Sequence, residues 1–374
     1  MNRFLSEEEY KDFSRRIWDR STVAHLPTRV QFEITYRCNI HCVHCYTDPF
    51  NNSKDIRREL SLNEMLHLFD ELVEAGVLWM LLTGGEAFTH PQFKQIYREA
   101  KARGFIVTIF SNATTITEEL ADFLKSNPPF GLEISCHGAT SETFDRITKI
   151  PGSFIRFKEG IRRLKERKIP FTIKTKAMTL NRGELPQIKA FVENLGLNFR
   201  LYSSISPRLD GDISSTQYRL SPEEIIELEY GDLLSSEDLS ERCDEENSSS
   251  DSKALLEPPS DDRLFRCGCG TNSLTISPHG ILRSCTFTTW PAYDLRQMPV
   301  REAFNQLVET IREARYKGES LCRVCPVYLF CQKNPVSALR ESGSMEAPIT
   351  HLCDVAYGRA EKEGRVFVQE RNAV

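Results

Sequence analysis

At 374 residues, 40% of them hydrophobic and 27% charged, the chain has an ordinary globular composition and enough length for one large domain plus a smaller one. A net charge of −5, with no basic face along the chain, excludes a nucleic-acid footprint of the usual electrostatic kind. No apolar stretch of export-signal type follows Met1, and residues 77–82 are too few to span a bilayer, so a cytoplasmic protein without membrane association is expected.

Residues 1–27 read as an N-terminal helical lead-in, from the periodic Phe4, Leu5, Tyr10, Phe13, Ile17 and Trp18. Strands are predicted at 29–35, 77–82, 105–110, 132–135, 171–177 and 199–202, all rich in β-branched or aromatic residues. Helices are predicted between them at 61–75, 91–103, 118–125, 153–167 and 184–195, with Ser61 and Glu64 as a capping box and Gly76 and Gly104 as C-terminal stops. Such alternation implies parallel βαβ units, as an open barrel or a doubly wound sheet. Ser221 and Pro222 start one more helix, closing a first domain at 28–230. Residues 231–262 hold eleven acids, two bases and eight serines, and read as an acidic Ser-rich linker. A cysteine-rich second domain is expected at 263–374.

The twelve cysteines fall in short-spaced sets, a pattern that favours metal ligation over disulfides in a long chain without an export signal. Cys38, Cys42 and Cys45 come just after the first strand. Three thiolates can hold a [4Fe-4S] cluster with one iron left open. A zinc site completed by His41 or His44 is the alternative that spacing leaves standing.

Cys38-x3-Cys42-x-His44-Cys45 after a first strand resembles the signature of radical S-adenosylmethionine (SAM) enzymes. The resemblance implies an α/β fold, a partial (β/α)6 TIM-like barrel, with SAM chelated at the open iron of the Cys38, Cys42, Cys45 cluster and His44 near the adenine. Thr83-Gly84-Gly85-Glu86 resembles the family's Gly-Gly-Glu motif, which holds the methionyl amino group of SAM. Glycines there admit close backbone approach, and a carboxylate can accept from an ammonium. Ser111, Asn112 and Ser135 end the third and fourth strands, where αβ barrels carry their chemistry, and are candidate SAM-binding residues. Each could equally make a plain strand-end hydrogen bond. His137 stands where many relatives have aspartate or tyrosine. The arginine that often meets the SAM carboxylate has no clean match, with Arg146 and Lys149 as candidates.

Cys267-Gly-Cys269, Cys285, Cys322-x2-Cys325-x5-Cys331 and Cys353 resemble the SPASM extension of such enzymes, a small C-terminal domain holding auxiliary clusters. Cys322, Cys325, Cys331 and Cys353 fit the outer cluster. The inner one would take Cys267 or Cys269, Cys285 and a cysteine four residues after Cys331, but Pro335 stands there, so it is held by Cys267, Cys269 and Cys285 with an open iron, smaller or absent. Cys136 reads as a packed thiol, Cys243 is unassigned, and Asp210 before Gly211 reads as a turn.

The resemblance implies an oxidoreductase that cleaves SAM reductively to a 5′-deoxyadenosyl radical and takes hydrogen from a peptide or protein. This would be a post-translational maturase making a crosslink, a thioether or an oxidised residue, like the maturases of ribosomal peptides, pyrroloquinoline quinone and mycofactocin. Expected partners are a peptide substrate, either delivered by a separate leader-recognition protein or short and bound directly, and an electron donor such as flavodoxin or ferredoxin. The alternatives are a cofactor-maturation enzyme acting on a tetrapyrrole of the haem pathway, and a non-enzymatic structural metal-binding module. No catalytic general base is identifiable.

Overall fold

The computed structural model describes residues 7–197, 199–231, 233, 261–266 and 270–365. All six predicted strands form, each within two residues of its expected ends: β1 Arg29–Thr35, β2 Trp79–Gly84, β3 Ile106–Ser111, β4 Gly131–Cys136, β5 Thr172–Lys176 and β6 Phe199–Tyr202. They pair in parallel and in chain order, β1 to β6, with Arg29 opposite Trp79 and Glu133 opposite Thr172. A parallel sheet in sequential order curls into a partial barrel, with its helices on the outside.

Those helices are α1 Glu7–Ala24, α2 Ser53–Ile56, α3 Leu62–Ala75, α4 Phe93–Ala102, α5 Glu118–Ser126, α6 Ser141–Thr148, α7 Ser153–Glu166, α8 Leu185–Asn194 and α9 Pro222–Tyr230. The capping box on α3 is present: Glu64 N donates to Ser61 Oγ, and Ser61 N donates to the Glu64 carboxylate at 2.7 Å. Gly76 and Gly104 take φ of 93° and 90°, a conformation glycine adopts without steric cost, where α3 and α4 hand over to the next strand. One face of each strand is sealed by these helices, as Phe32 is by Phe69 at 5.2 Å between rings. The other face holds half-buried groups such as Phe110, Glu133, Ser135 and Lys174. The Lys174 ammonium reaches the Glu133 carboxylate across it at 3.3 Å.

α1 closes the end of the barrel remote from the strand C-termini. Tyr10 accepts from Trp79 Nε1 at 2.7 Å, and the Arg29 guanidinium lies over Trp18 at 4.4 Å.

The sheet does not stop at β1. β7 Ser273–Ile276 pairs with β1 in parallel, Arg29 opposite Ser273, and β8 Ile281–Arg283 and β9 Ala292–Asp294 follow antiparallel. The cysteine-rich segment is therefore joined to the barrel through backbone hydrogen bonds. Helices Val300–Glu313, Pro335–Ser342 and Thr350–Lys362 complete it. Two forked pairs also bridge it to the barrel segment: Arg219 with Glu341 at 2.6 and 2.9 Å, and Arg359 with Glu229 at 2.7 and 2.8 Å. Among the described residues no helix is long and apolar enough to cross a membrane.

Candidate active site

The cysteine loop leaves the C-terminal end of β1 and is pinned from two sides. Asn51 embraces Cys38, accepting from its N–H at 3.2 Å and donating to its carbonyl at 2.9 Å. His41 N and Val43 N donate to the Thr148 and Ile147 carbonyls at 2.9 and 3.0 Å, the free carbonyls of the last turn of α6. α6 is missing from the sequence-based expectations. Its signal was present in Thr140, which accepts from Thr143 N, and in Phe144 and Ile147 on one face.

The three thiols lie close enough to perturb one another. Burial pushes all three up, Cys38 and Cys42 strongly, and Cys45 raises both Cys38 and Cys42 further by charge repulsion. Such thiols are protonated until a cation compensates them, so binding an iron cluster would release protons. Three grouped thiols, one buried and two half-buried, fit the three-thiolate ligation of a [4Fe-4S] cluster with one open iron. Of the two histidines in the loop, His41 is exposed and bonded through Nδ1 to Asp48 at 2.8 Å.

Gly84, Gly85 and Glu86 end β2 and fold against this loop. Gly85 N donates to Thr35 O at 2.8 Å and Glu86 N to Arg37 O at 2.7 Å. A Cβ on Gly84 would lie 2.1 Å from Thr35 O, and one on Gly85 2.4 Å from Arg37 O, so only glycine fits at either position. The Glu86 carboxylate is fully buried and accepts from Ser111 Oγ at 3.0 Å, Asn112 N at 2.7 Å and Phe88 N at 3.2 Å. Burial outweighs these donors and lifts its pKa to about 7. Asn112 also reaches Cys38 Sγ at 3.8 Å and Asn39 Oδ1 at 3.2 Å. Cysteine loop, Gly-Gly-Glu turn and the end of β3 thus form one hydrogen-bonded cluster at the strand C-termini.

The Radical SAM superfamily pattern matches residues 32–192. This stretch of the chain is a radical SAM domain. The superfamily implies a [4Fe-4S] cluster and SAM. Over 174 residues the chain is 31% identical to the AdoMet-dependent heme synthase of Methanosarcina barkeri, covering 46% of this chain and 49% of that protein. Over 269 residues it is 26% identical to the antilisterial bacteriocin subtilosin biosynthesis protein AlbA of Bacillus subtilis, covering 70% and 55%. The chain spans about half the length of these curated relatives. Among solved structures, Streptococcus suis SuiB bound to precursor peptide SuiA superposes with a TM-score of 0.64 at 13% identity, over 93% of this chain and 81% of that one, a likeness of fold.

Two histidines flank the radical SAM loop. The rings of His44 and His137 lie 5.3 Å apart, and His137 Nε2 is 3.7 Å from Cys42 Sγ. Burial, reinforced by His137 and Lys176, holds His44 well below the usual imidazole range, and burial alone takes His137 down to about 4. His137 marked only a departure from the family pattern in the sequence; its contact with Cys42 needs the fold. Ser135 is half-buried on the inner face of β4. Arg146 donates to Leu180 O at 2.9 Å, and Lys149 caps α6 at φ 58°. Asp210 accepts from Asp212 N beside Gly211 at φ 98°, a turn as expected.

Cys322, Cys325, Cys331 and Cys353 come together from two 3-10 turns and the helix Thr350–Lys362. The first three all raise Cys353, pushed up by burial and their charge to about 12. Arg266 braces this group, donating to Cys322 O at 3.0 Å and Arg323 O at 2.7 Å. Pro335 is the buried first residue of a helix whose cap, Asn334, accepts from Val336 N at 2.9 Å. Cys285 follows β8 and donates its N–H to Thr288 Oγ1 at 3.4 Å. Cys136 is a buried thiol against Gly138 O at 3.5 Å. Cys243, Cys267 and Cys269 lie outside the described residues.

Proposed function

We propose that the chain is a radical SAM oxidoreductase that modifies a peptide or protein substrate. In this reading Cys38, Cys42 and Cys45 hold the [4Fe-4S] cluster. Gly84, Gly85 and Glu86 receive the methionyl end of SAM, His44 borders its adenine, and Ser111, Asn112 and Ser135 line the rest of the pocket. Cluster and SAM together supply reductive cleavage to a 5′-deoxyadenosyl radical and hydrogen abstraction from substrate. The observation that carries the reading is the Gly-Gly-Glu turn hydrogen-bonded onto the cysteine loop through Thr35 and Arg37.

Residues 28–230 form the radical SAM core in this proposal. Residues 263–374 form a SPASM-type domain, with Cys322, Cys325, Cys331 and Cys353 on one auxiliary cluster and Cys285, with Cys267 and Cys269, available to a second. The subtilosin biosynthesis protein among the relatives, and a like-folded structure bound to a precursor peptide, support a peptide substrate. A separate leader-recognition protein, a flavodoxin- or ferredoxin-type electron donor and a cytoplasmic location belong to the same reading.

The test is anaerobic reconstitution, with iron, sulfide and 5′-deoxyadenosine measured for the native chain and Cys38→Ala. About twelve irons per chain would mean three clusters and about eight a SAM cluster with one auxiliary cluster, with nucleoside formation abolished by the substitution in either case. Zinc in place of iron, with no SAM cleavage, would overturn the proposal. The 31% identity to a haem synthase favours a second reading, a tetrapyrrole substrate. A porphyrin that binds would shift its visible absorption on mixing, whereas the peptide reading expects no such shift.

A further inference from the structure

Each of the three triad sulfurs has one polar side-chain neighbour from a different place in the fold. Asn112 Nδ2, after β3, is 3.8 Å from Cys38; His137 Nε2, after β4, is 3.7 Å from Cys42; Thr47 Oγ1, on the loop itself, is 3.5 Å from Cys45. Asn112 Nδ2 shares its hydrogens with Asn39. His137 is different. The residue is 4% exposed, its Nδ1 has no partner among the described residues, and its Nε2 lies 3.7 Å from the sulfur.

The ring is also held in place. It packs against Phe144 at 5.4 Å and His44 at 5.3 Å, while Asn181 Nδ2 anchors the His137 carbonyl at 3.0 Å. A cysteine bound to iron has lost its proton and can only accept. With Nδ1 unpartnered and Nε2 beside Cys42 Sγ, the imidazole can present an N–H at Nε2 to that sulfur. Hydrogen bonds to cluster sulfurs favour the more negative, reduced cluster and so raise its potential.

We propose that His137 is a positioning residue whose Nε2–H donates to the Cys42 sulfur of the bound cluster and raises its reduction potential. This rests on the reading of Cys38, Cys42 and Cys45 as the SAM cluster. It implies that this chain runs its SAM cluster at a potential set partly by an imidazole.

The experiment is an EPR-monitored redox titration of the reconstituted full chain, following the signal that changes when SAM is added, which singles out the cluster with an open iron. His137→Phe keeps the ring and removes the N–H; His137→Gln keeps an N–H. The midpoint of the phenylalanine variant should fall below that of the native chain, with glutamine above phenylalanine. Equal midpoints for native and phenylalanine chains would overturn the proposal. If phenylalanine prevents cluster loading, His137→Leu is read in the same way. Native-chain signals that ignore SAM would overturn the proposed function itself, a result distinct from unchanged midpoints.

Discussion

Arg283 and Glu33 form an ion pair almost wholly closed to solvent: Nη2 to Oε2 is 2.7 Å, with the side chains 5% and 0% exposed. Tyr46, the residue after Cys45, donates its hydroxyl to the other Glu33 oxygen at 3.1 Å, and Arg283 also donates to Thr288 O at 3.2 Å. One buried carboxylate thus fastens the cysteine loop to the strand that leads into Cys285. Removing either charge strands the other. Glu33→Gln or Arg283→Met should each lower unfolding free energy by about 3–5 kcal/mol, and Glu33→Leu with Arg283→Met by less than the sum of the singles. Denaturant titration of all the variants checks this, and additive losses would mean the two groups do not act as a pair.

Gly85→Ala puts a methyl group 2.4 Å from Arg37 O and 2.6 Å from Tyr36 O. Backbone on both sides leaves nothing flexible to yield. The loss expected is about 1–3 kcal/mol of stability from overpacking, together with SAM cleavage reduced at least tenfold as the turn is pushed off the cysteine loop. Unfolding curves and nucleoside yield, measured on the same preparation, report the two effects.

Glu86 brings a pH dependence whose sign is determined. Its folded pKa of about 7 lies above the ordinary 4.5, because burial outweighs its three donors. The folded chain therefore keeps a proton that the unfolded chain gives up. The associated stability is complete below about pH 4.5 and is lost as pH rises through 7, about 3 kcal/mol in all. In urea titrations of the cluster-free chain, Glu86→Gln should flatten the decline between pH 5 and pH 8. A native chain equally stable at both pH values would contradict the assignment.

Cys331→Ser tests the second cysteine group apart from the first. Iron content should drop by about four per chain, the content of one cubane, while the SAM-responsive EPR signal persists. Loss of that signal as well would mean that the two sites do not load independently.

The barrel was legible because its six strands obey local rules: apolar runs bounded by turn residues, capped helices between them, and glycines at the helix ends. The cysteine triad and Thr83 to Glu86 were legible because spacing within a loop and position after a strand are sequence properties. What was hidden depends on distant pairing. Glu33 meets Arg283 across 250 positions, and His137 meets Cys42 across 95. α6, at eight residues, is too short for its periodicity to stand out, yet its last carbonyls hold the cysteine loop. β7 to β9 escaped for a related reason. Strands of three or four residues carry little pattern, and only docking on β1 makes β7 a strand.

The pairing of β7 with β1 also bears on the order of assembly. On a ribosome β1 emerges among the first strands, while the segment that covers its outer edge is made some 240 residues later, after the rest of the barrel. Until then that edge offers unpaired N–H and C=O groups to any neighbouring strand. Closing so long a loop is slow compared with forming the local βαβ units. The nascent chain would pass through a period in which the barrel is built but sticky, and its yield in the cell should depend on chaperones or low expression temperature far more than its finished stability suggests.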